Sequence, residues 1–160
     1  QVAWSDICGY EDLKETIRGA MEWPVKYAHL FKKHHIPSSS GLLLYGPPGC
    51  SKTMIAKAVA TQCGFNFFAV KSSDLLSKYV GQSEKNVRNL FARARRMAPS
   101  VIFFDEIESL AVARDRSDTN STNSLLSTML TEMDGVVALC GVFVLGATNM
   151  PSRVDKVRRV

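Results

Sequence analysis

The stretch GPPGCSKT, residues 46–53, ends in a lysine and a hydroxyl after a glycine-proline turn, the residue types that cradle a phosphate. It follows the pattern G-x-x-x-x-G-K-[ST] except at Ser51, which stands where a glycine precedes the lysine. In such a loop the backbone N–H groups of Gly49, Cys50, Ser51, Lys52 and Thr53 converge on phosphate oxygens, helped by the positive end of the helix that follows. Lys52 brings a point charge to the β and γ phosphates, and the Thr53 hydroxyl is placed to ligate Mg²⁺. Ser51 adds a Cβ and a hydroxyl where close backbone approach is wanted, which crowds the phosphates or donates another hydrogen bond. Because the remaining motifs are intact, the expectation is a working site with altered nucleotide affinity.

A second group is VIFFDE at 101–106, four apolar residues and then two acids, so that Asp105 and Glu106 emerge at the C-terminal end of a buried strand. Asp105 there holds Mg²⁺ directly or through water. Glu106 orients and deprotonates an attacking water, a role worth about 10² to 10⁴ in rate. Taken alone, two acids after a strand also read as the cap and first turn of a helix. Beside a phosphate loop they complete the two chemical halves of a nucleotide-hydrolysing site. A third polar group, GATN at 146–149, places Thr148 and Asn149 at another strand end, where a neutral amide can fix the lytic water. By itself that stretch reads as a turn before proline.

Elements of two kinds must position these groups. Short apolar runs at 41–45, 66–70, 101–105 and 141–147 predict strands buried on both faces, and the segments between them have helical period. The alternation is that of a parallel sheet wrapped by helices, an α/β fold. One helix is expected over 52–63, with Ile55, Ala58, Val59 and Gln62 on one side. Another, N-capped by Ser83, carries Val87, Leu90, Phe91, Ala94 and Ala98 up to Pro99. A third, over 122–133, carries Leu125, Leu126, Met129, Leu130 and Met133. Nearer the N-terminus a helix over 11–23 is expected to end at Pro24, with a short one over 25–33 after it. The polar stretch 114–123 reads as an exposed loop.

With 160 residues, 46% of them hydrophobic, the chain needs no more than one domain, spanning 1–160. No apolar run approaches a membrane span and the N-terminus has no signal core, which predicts a cytoplasmic or nuclear setting. Cys8, Cys50, Cys63 and Cys140 lie far apart without zinc spacing, so reduced thiols are expected. The net charge of +5 is spread over the short groups 32–35, 93–96 and 156–159. Lacking a recognition motif or aromatic platform, these read as solvated surface, and nucleic acid is not expected as a direct substrate.

Together these residues resemble the AAA family of ATPases. GPPGCSKT resembles its Walker A motif (P-loop), VIFFDE its Walker B motif, and GATN its sensor 1 ending in Asn149. WSDICGYEDLK is similar to the segment that packs on adenine, which implies base contacts at Asp6, Ile7 and Cys8. Pro48 and Met54 join the nucleotide contacts by the same resemblance. SKYVG matches the first pore loop, with Lys78, Tyr79 and Val80 meeting the substrate, and MLTEMDGV looks like the inter-subunit signalling helix ending at Asp134 and Gly135. The resemblance implies the large α/β subdomain with five parallel strands, using ATP and Mg²⁺. It also implies a hexameric ring of like or unlike subunits, served in some cases by adaptor proteins. Such a ring is a chaperone-like motor that unfolds a polypeptide drawn through its pore, gripped by Tyr79.

Ser51 together with NSLLSTMLTEMDGV resembles the second ATPase domain of the ribosome-maturation, spermatogenesis-associated type, which implies ribosome biogenesis. YVGQSEKNVRNLFARAR also resembles the peroxisomal biogenesis type. The family's first arginine finger would fall at Val160; Arg158 and Arg159 are near but out of register, and the helical lid is not in this sequence. The expectation is therefore a chain that binds nucleotide more readily than it hydrolyses it. Two other readings compete: a module that holds nucleotide without hydrolysis to stabilise an assembly, and a nucleic-acid motor. Glu106 argues against the first, because degenerate domains of this family commonly lose that glutamate.

Overall fold

The computed structural model describes residues 2, 4–34, 41–75, 82–110, 119–135 and 141–154. Lys78, Tyr79 and Val80, residues 114–118 of the polar stretch, Cys140 and the basic group at 156–159 lie outside the described residues. Strands β1 (Gly41–Tyr45), β2 (Asn66–Lys71), β3 (Ser100–Asp105) and β4 (Val142–Thr148) form one sheet in the order β1-β4-β3-β2, every pair parallel. Four strands stand among the described residues, where the resemblance implies five.

β3 and β4 are the central strands, and their side chains alternate between two cores. Val101 and Phe103 of β3, with Phe143, Leu145 and Ala147 of β4, face a core closed by α1 (Glu11–Lys26) and α3 (Lys52–Gln62). Ile102 and Phe104, with Val142 and Val144, face the opposite core, closed by α4 (Gln82–Arg96) and α5 (Thr119–Gly135). The result is a helix–sheet–helix sandwich in which each large buried side chain contributes about 1.5–3 kcal/mol. Burial on both faces holds for β3 and β4 but not for β1 and β2. Those two sit at the edges of the described sheet, and Tyr45 and Leu43 are exposed.

Several helices depart from the sequence pattern. α1 runs through Pro24, which expectation placed as its stop, and α2 (Ala28–Lys33) begins later than 25. Pro24 continues the buried face of Lys14, Ile17 and Met21, and Tyr27 N–H closes the end on the Trp23 carbonyl. The ring thus sits in the last turn, where a missing N–H forfeits only one hydrogen bond. In α3, Gln62 points to solvent, and the core side is Ile55, Ala56, Ala58, Val59 and Ala60. Small alanines let the helix lie close to the sheet.

α4 starts at Gln82, so Ser83 lies inside its first turn rather than capping it, and it ends at Arg96 with Ala98 exposed beyond it. The Ser100 hydroxyl donates to the Ala94 carbonyl and fastens that end to β3. α5 opens at Thr119, taking up residues expected to be loop, and extends to Gly135. Its Leu130 is exposed, because the stripe facing α4 is Leu125, Leu126 and Met129. Arg95 and Glu132, 2.8 Å apart, join α4 to α5. Arg93 lies over the Phe68 ring. Two cations of the 93–96 group are thus engaged within the chain itself.

Candidate nucleotide site

All four described strands are parallel, so their C-terminal ends share one edge, and that edge collects the polar motifs. β4 lies between β1, which delivers the loop at Gly46, and β3, which delivers Asp105 and Glu106. Both neighbours are stitched to it. Gly46 N–H donates to the Thr148 carbonyl at 3.3 Å, and Ile107 N–H donates to the Ala147 carbonyl at 3.0 Å. Asn149, the next residue of the central strand, therefore stands between the loop and the two acids.

The loop meets β3 directly. The Thr53 hydroxyl donates to Asp105 Oδ2 at 3.1 Å, while Asp105 Oδ1 accepts Glu106 N–H at 3.0 Å. A hydroxyl and one carboxylate are hard oxygen donors. Among the described residues no group of three His, Cys, Asp or Glu side chains could enclose a metal. The pair fits Mg²⁺, which binds through one or two protein oxygens and fills its octahedron with phosphate and water. Thr53 and Asp105 would hold it, and it would supply positive charge that offsets that of the phosphates.

Lys52 lies across the loop, its Nζ donating to the Gly46 and Pro47 carbonyls at 2.9 Å each. The ammonium is thereby held at the turn where phosphates are expected. α3 begins at Lys52, so the free N–H groups of its first turn face the same place. Pro48 and Gly49 are exposed in the loop, Cys50 and Ser51 half-buried, and Met54 exposed on the first turn of α3. Ser51 has φ 55° and ψ 22° and its side chain makes no capping hydrogen bond. This left-handed backbone costs a non-glycine residue about 1–2 kcal/mol, which is the physical reason a glycine suits the position. From sequence, crowding by the Cβ and an added hydrogen bond stood as alternatives; the backbone angle is a constraint that neither included.

Glu106 shares that strain, with φ 52°. Its Oε2 lies 3.3 Å from Lys71 Nζ at the end of β2, the residue opposite Asp105 in the β2–β3 register. Both side chains are about half exposed, so the pair adds little stability. Its effect is to draw the Glu106 carboxylate toward the β2 side.

Asp6, Ile7 and Cys8 fall on a 3-10 turn (Trp4–Asp6) and the two residues after it, packed on α3. The Ile7 side chain is buried in the core, its N–H donates to the Trp4 carbonyl at 3.3 Å, and Cys8 is exposed. Lys14 fixes this segment. It is buried, donates to the Ile7 carbonyl at 2.7 Å and to Glu11 at 2.8 Å, and lies 5.7 Å from the Trp4 ring. An open cleft of about 410 Å³ beside the loop is lined by Tyr10, Leu43, Tyr45, Pro47, Cys50 and Lys52, among others.

Glu108 is the residue that sequence reasoning passed over. Burial pushes its carboxyl up, but hydrogen bonds from its own N–H, from the Thr148 side chain and from the backbone and side chain of Asn149 outweigh that and hold it below the usual glutamate range. The signal was present as a third acid in DEIE, two residues after Glu106. The importance of Lys71 and Lys14 carried no local signal.

A glycine-bearing loop between a buried strand and a helix, with an acid pair and a polar strand end beside it, defines a nucleotide-binding α/β domain. The chain belongs to the AAA family, described as "ATPase family associated with various cellular activities", which matches residues 42–159. It is 52% identical over 157 residues to the ATPase family gene 2 protein homolog A of Homo sapiens, covering 97% of this chain and 18% of that protein. It is 48% identical over 156 residues to Protein SAV of Sulfolobus acidocaldarius, covering 97% of this chain and 20% of that one. To the peroxisomal ATPase PEX1 of Komagataella phaffii it is 47% identical over 154 residues, 96% of this chain and 14% of that one. The chain thus spans about a fifth or less of the length of these curated relatives.

Proposed function

We propose that the chain is the ATP-binding and ATP-hydrolysing module of a protein-remodelling motor. The observation that carries this reading is the Thr53–Asp105 hydrogen bond, which joins the phosphate loop to the acid-bearing strand. In this reading the loop N–H groups and Lys52 bind the phosphates, and Glu106 takes the proton of the attacking water. Asn149 places that water, and Asp6, Ile7 and Cys8 meet the base. The unit is the large α/β subdomain, working in a hexameric ring of like or unlike subunits in the cytoplasm or nucleus, with Lys78, Tyr79 and Val80 gripping a polypeptide in its pore. The ribosome-maturation type is preferred to the peroxisomal type on the resemblance carried by Ser51 and NSLLSTMLTEMDGV.

The experiment is ATP turnover by the full-length assembled protein in the presence of an unfolded polypeptide, DNA or RNA. Stimulation by the polypeptide alone is the expected result. Stimulation by nucleic acid alone would replace the remodeller with a nucleic-acid motor.

A further inference from the structure

Glu108 and Asn149 are 41 residues apart in sequence, yet the Asn149 backbone N–H donates to Glu108 Oε1 at 3.2 Å. The other oxygen, Oε2, is shut off from solvent and has no protein donor at hydrogen-bonding distance. A buried carboxylate oxygen left that way is costly, so the nearest donor decides what it does. Two donors stand beside it. Thr148 is fully buried and its hydroxyl oxygen accepts Met150 N–H at 3.0 Å, which leaves its own O–H free to donate. The second is the side-chain amide of Asn149, the residue whose backbone N–H already holds Oε1, and both donors act to lower the Glu108 carboxyl.

An ionised carboxylate only accepts hydrogen bonds, so the part of the Asn149 amide that meets it must be the NH₂ group. The amide carbonyl oxygen is then turned away from Glu108. We propose that Glu108 is the positioning residue for Asn149: it takes the amide NH₂ and so presents the amide oxygen, an acceptor, to the attacking water between the loop and Glu106. Without this constraint the amide has two nearly equal orientations, one offering a donor and the other an acceptor. Only the second helps Glu106, because a water that gives one proton to Glu106 and the other to Asn149 Oδ1 has its lone pair aimed away from both. The O–H bond facing Glu106 breaks as the water oxygen bonds to the γ-phosphorus, the bond from that phosphorus to the oxygen it shares with the β-phosphate breaks so that ADP leaves with that oxygen, and the proton stays on Glu106. This inference deepens the function proposed above and rests on it.

The test uses the full-length assembled protein and the variants Glu108→Gln, Asn149→Ala and the double variant. Glutamine keeps the acceptor for Asn149 N–H and the side-chain shape, but its own NH₂ lets the Asn149 amide take either orientation. The expected result is a kcat lower by about 10- to 100-fold, the scale of a misplaced reacting group. KM and ATP affinity should stay within about twofold, and Glu108→Gln should cost nothing further in the Asn149→Ala background. Equal losses in both backgrounds, loss of ATP binding in Glu108→Gln, or wild-type kcat in that variant would each overturn the inference while leaving an ATPase. Absence of turnover in the wild-type protein would instead overturn the proposed function and this inference with it.

Discussion

The Thr53 hydroxyl donates to Asp105 Oδ2 at 3.1 Å across 52 residues of chain, which places the end of the phosphate loop against the acid-bearing strand. Each residue alone has an ordinary structural use. Together they present two oxygen donors at the strand edge where Lys52 and the first turn of α3 also gather.

Magnesium dependence follows from that pair. Thr53→Ala removes one of two candidate protein ligands and leaves the carboxylate. ATP affinity measured with Mg²⁺ is expected to fall about tenfold, near 1.4 kcal/mol, whereas affinity in EDTA stays close to wild type. An equal loss in both conditions would mean that Thr53 only shapes the loop.

Ser51→Gly tests the strained loop. Relief of the left-handed serine is worth about 1–2 kcal/mol, and the extra freedom of glycine in the unfolded chain takes back about 0.5–1 kcal/mol. The net is about 0 to 1.5 kcal/mol of stabilisation, a rise of up to about 6 °C in Tm for a chain of this size. A fall in Tm would show that the serine hydroxyl makes a compensating bond, and ATP titration of the same variant reads the change in affinity.

The cysteines give a map of the cleft. Cys8 is exposed, Cys50 lines the cleft, and burial, with the Glu22 charge adding to it, pushes the Cys63 thiol up. Since the thiolate is the reacting form, iodoacetamide followed by peptide mapping should label Cys63 several-fold more slowly than Cys8 when no ATP is added. ATP should protect Cys50. Rapid labelling of Cys63 or unprotected Cys50 would contradict this arrangement.

Glu108 also sets an acid limit. Its carboxyl lies below the usual range in the folded chain, so protons bind the unfolded state first and folding favours the charged form. That contribution is complete above the ordinary glutamate value of about 4.3 and is lost as pH falls through the lowered folded value. Denaturant unfolding of wild type and Glu108→Gln should therefore differ by a constant amount between about pH 6 and 8 and converge in acid. A gap that widens in acid would reverse the sign of the assignment.

Much of this fold is legible because buried parallel strands are written as unbroken apolar runs. VIFF and FVL could be read as strands without knowing their neighbours, and the acids or polar residues that follow mark the edge where ligands bind. Pro24, Leu130 and Ala98 were misread because each depends on what packs nearby. The face of α1 runs on through a proline, and α4 meets only one side of α5. Ser51 could be read only as added bulk or an added hydrogen bond until its φ was known. Lys71 and Glu108 were invisible for a different reason: each acquires its partner through strand register rather than spacing in the chain.

The central claim is that Gly46 through Thr53, Asp105, Glu106 and Asn149 form one site that hydrolyses ATP. Glu106→Gln in the full-length assembled protein, with ATP binding and phosphate release measured on the same preparation, tests it most directly. The account predicts ATP affinity within about threefold of wild type and turnover lower by about 10² or more. Undiminished turnover in Glu106→Gln would contradict it.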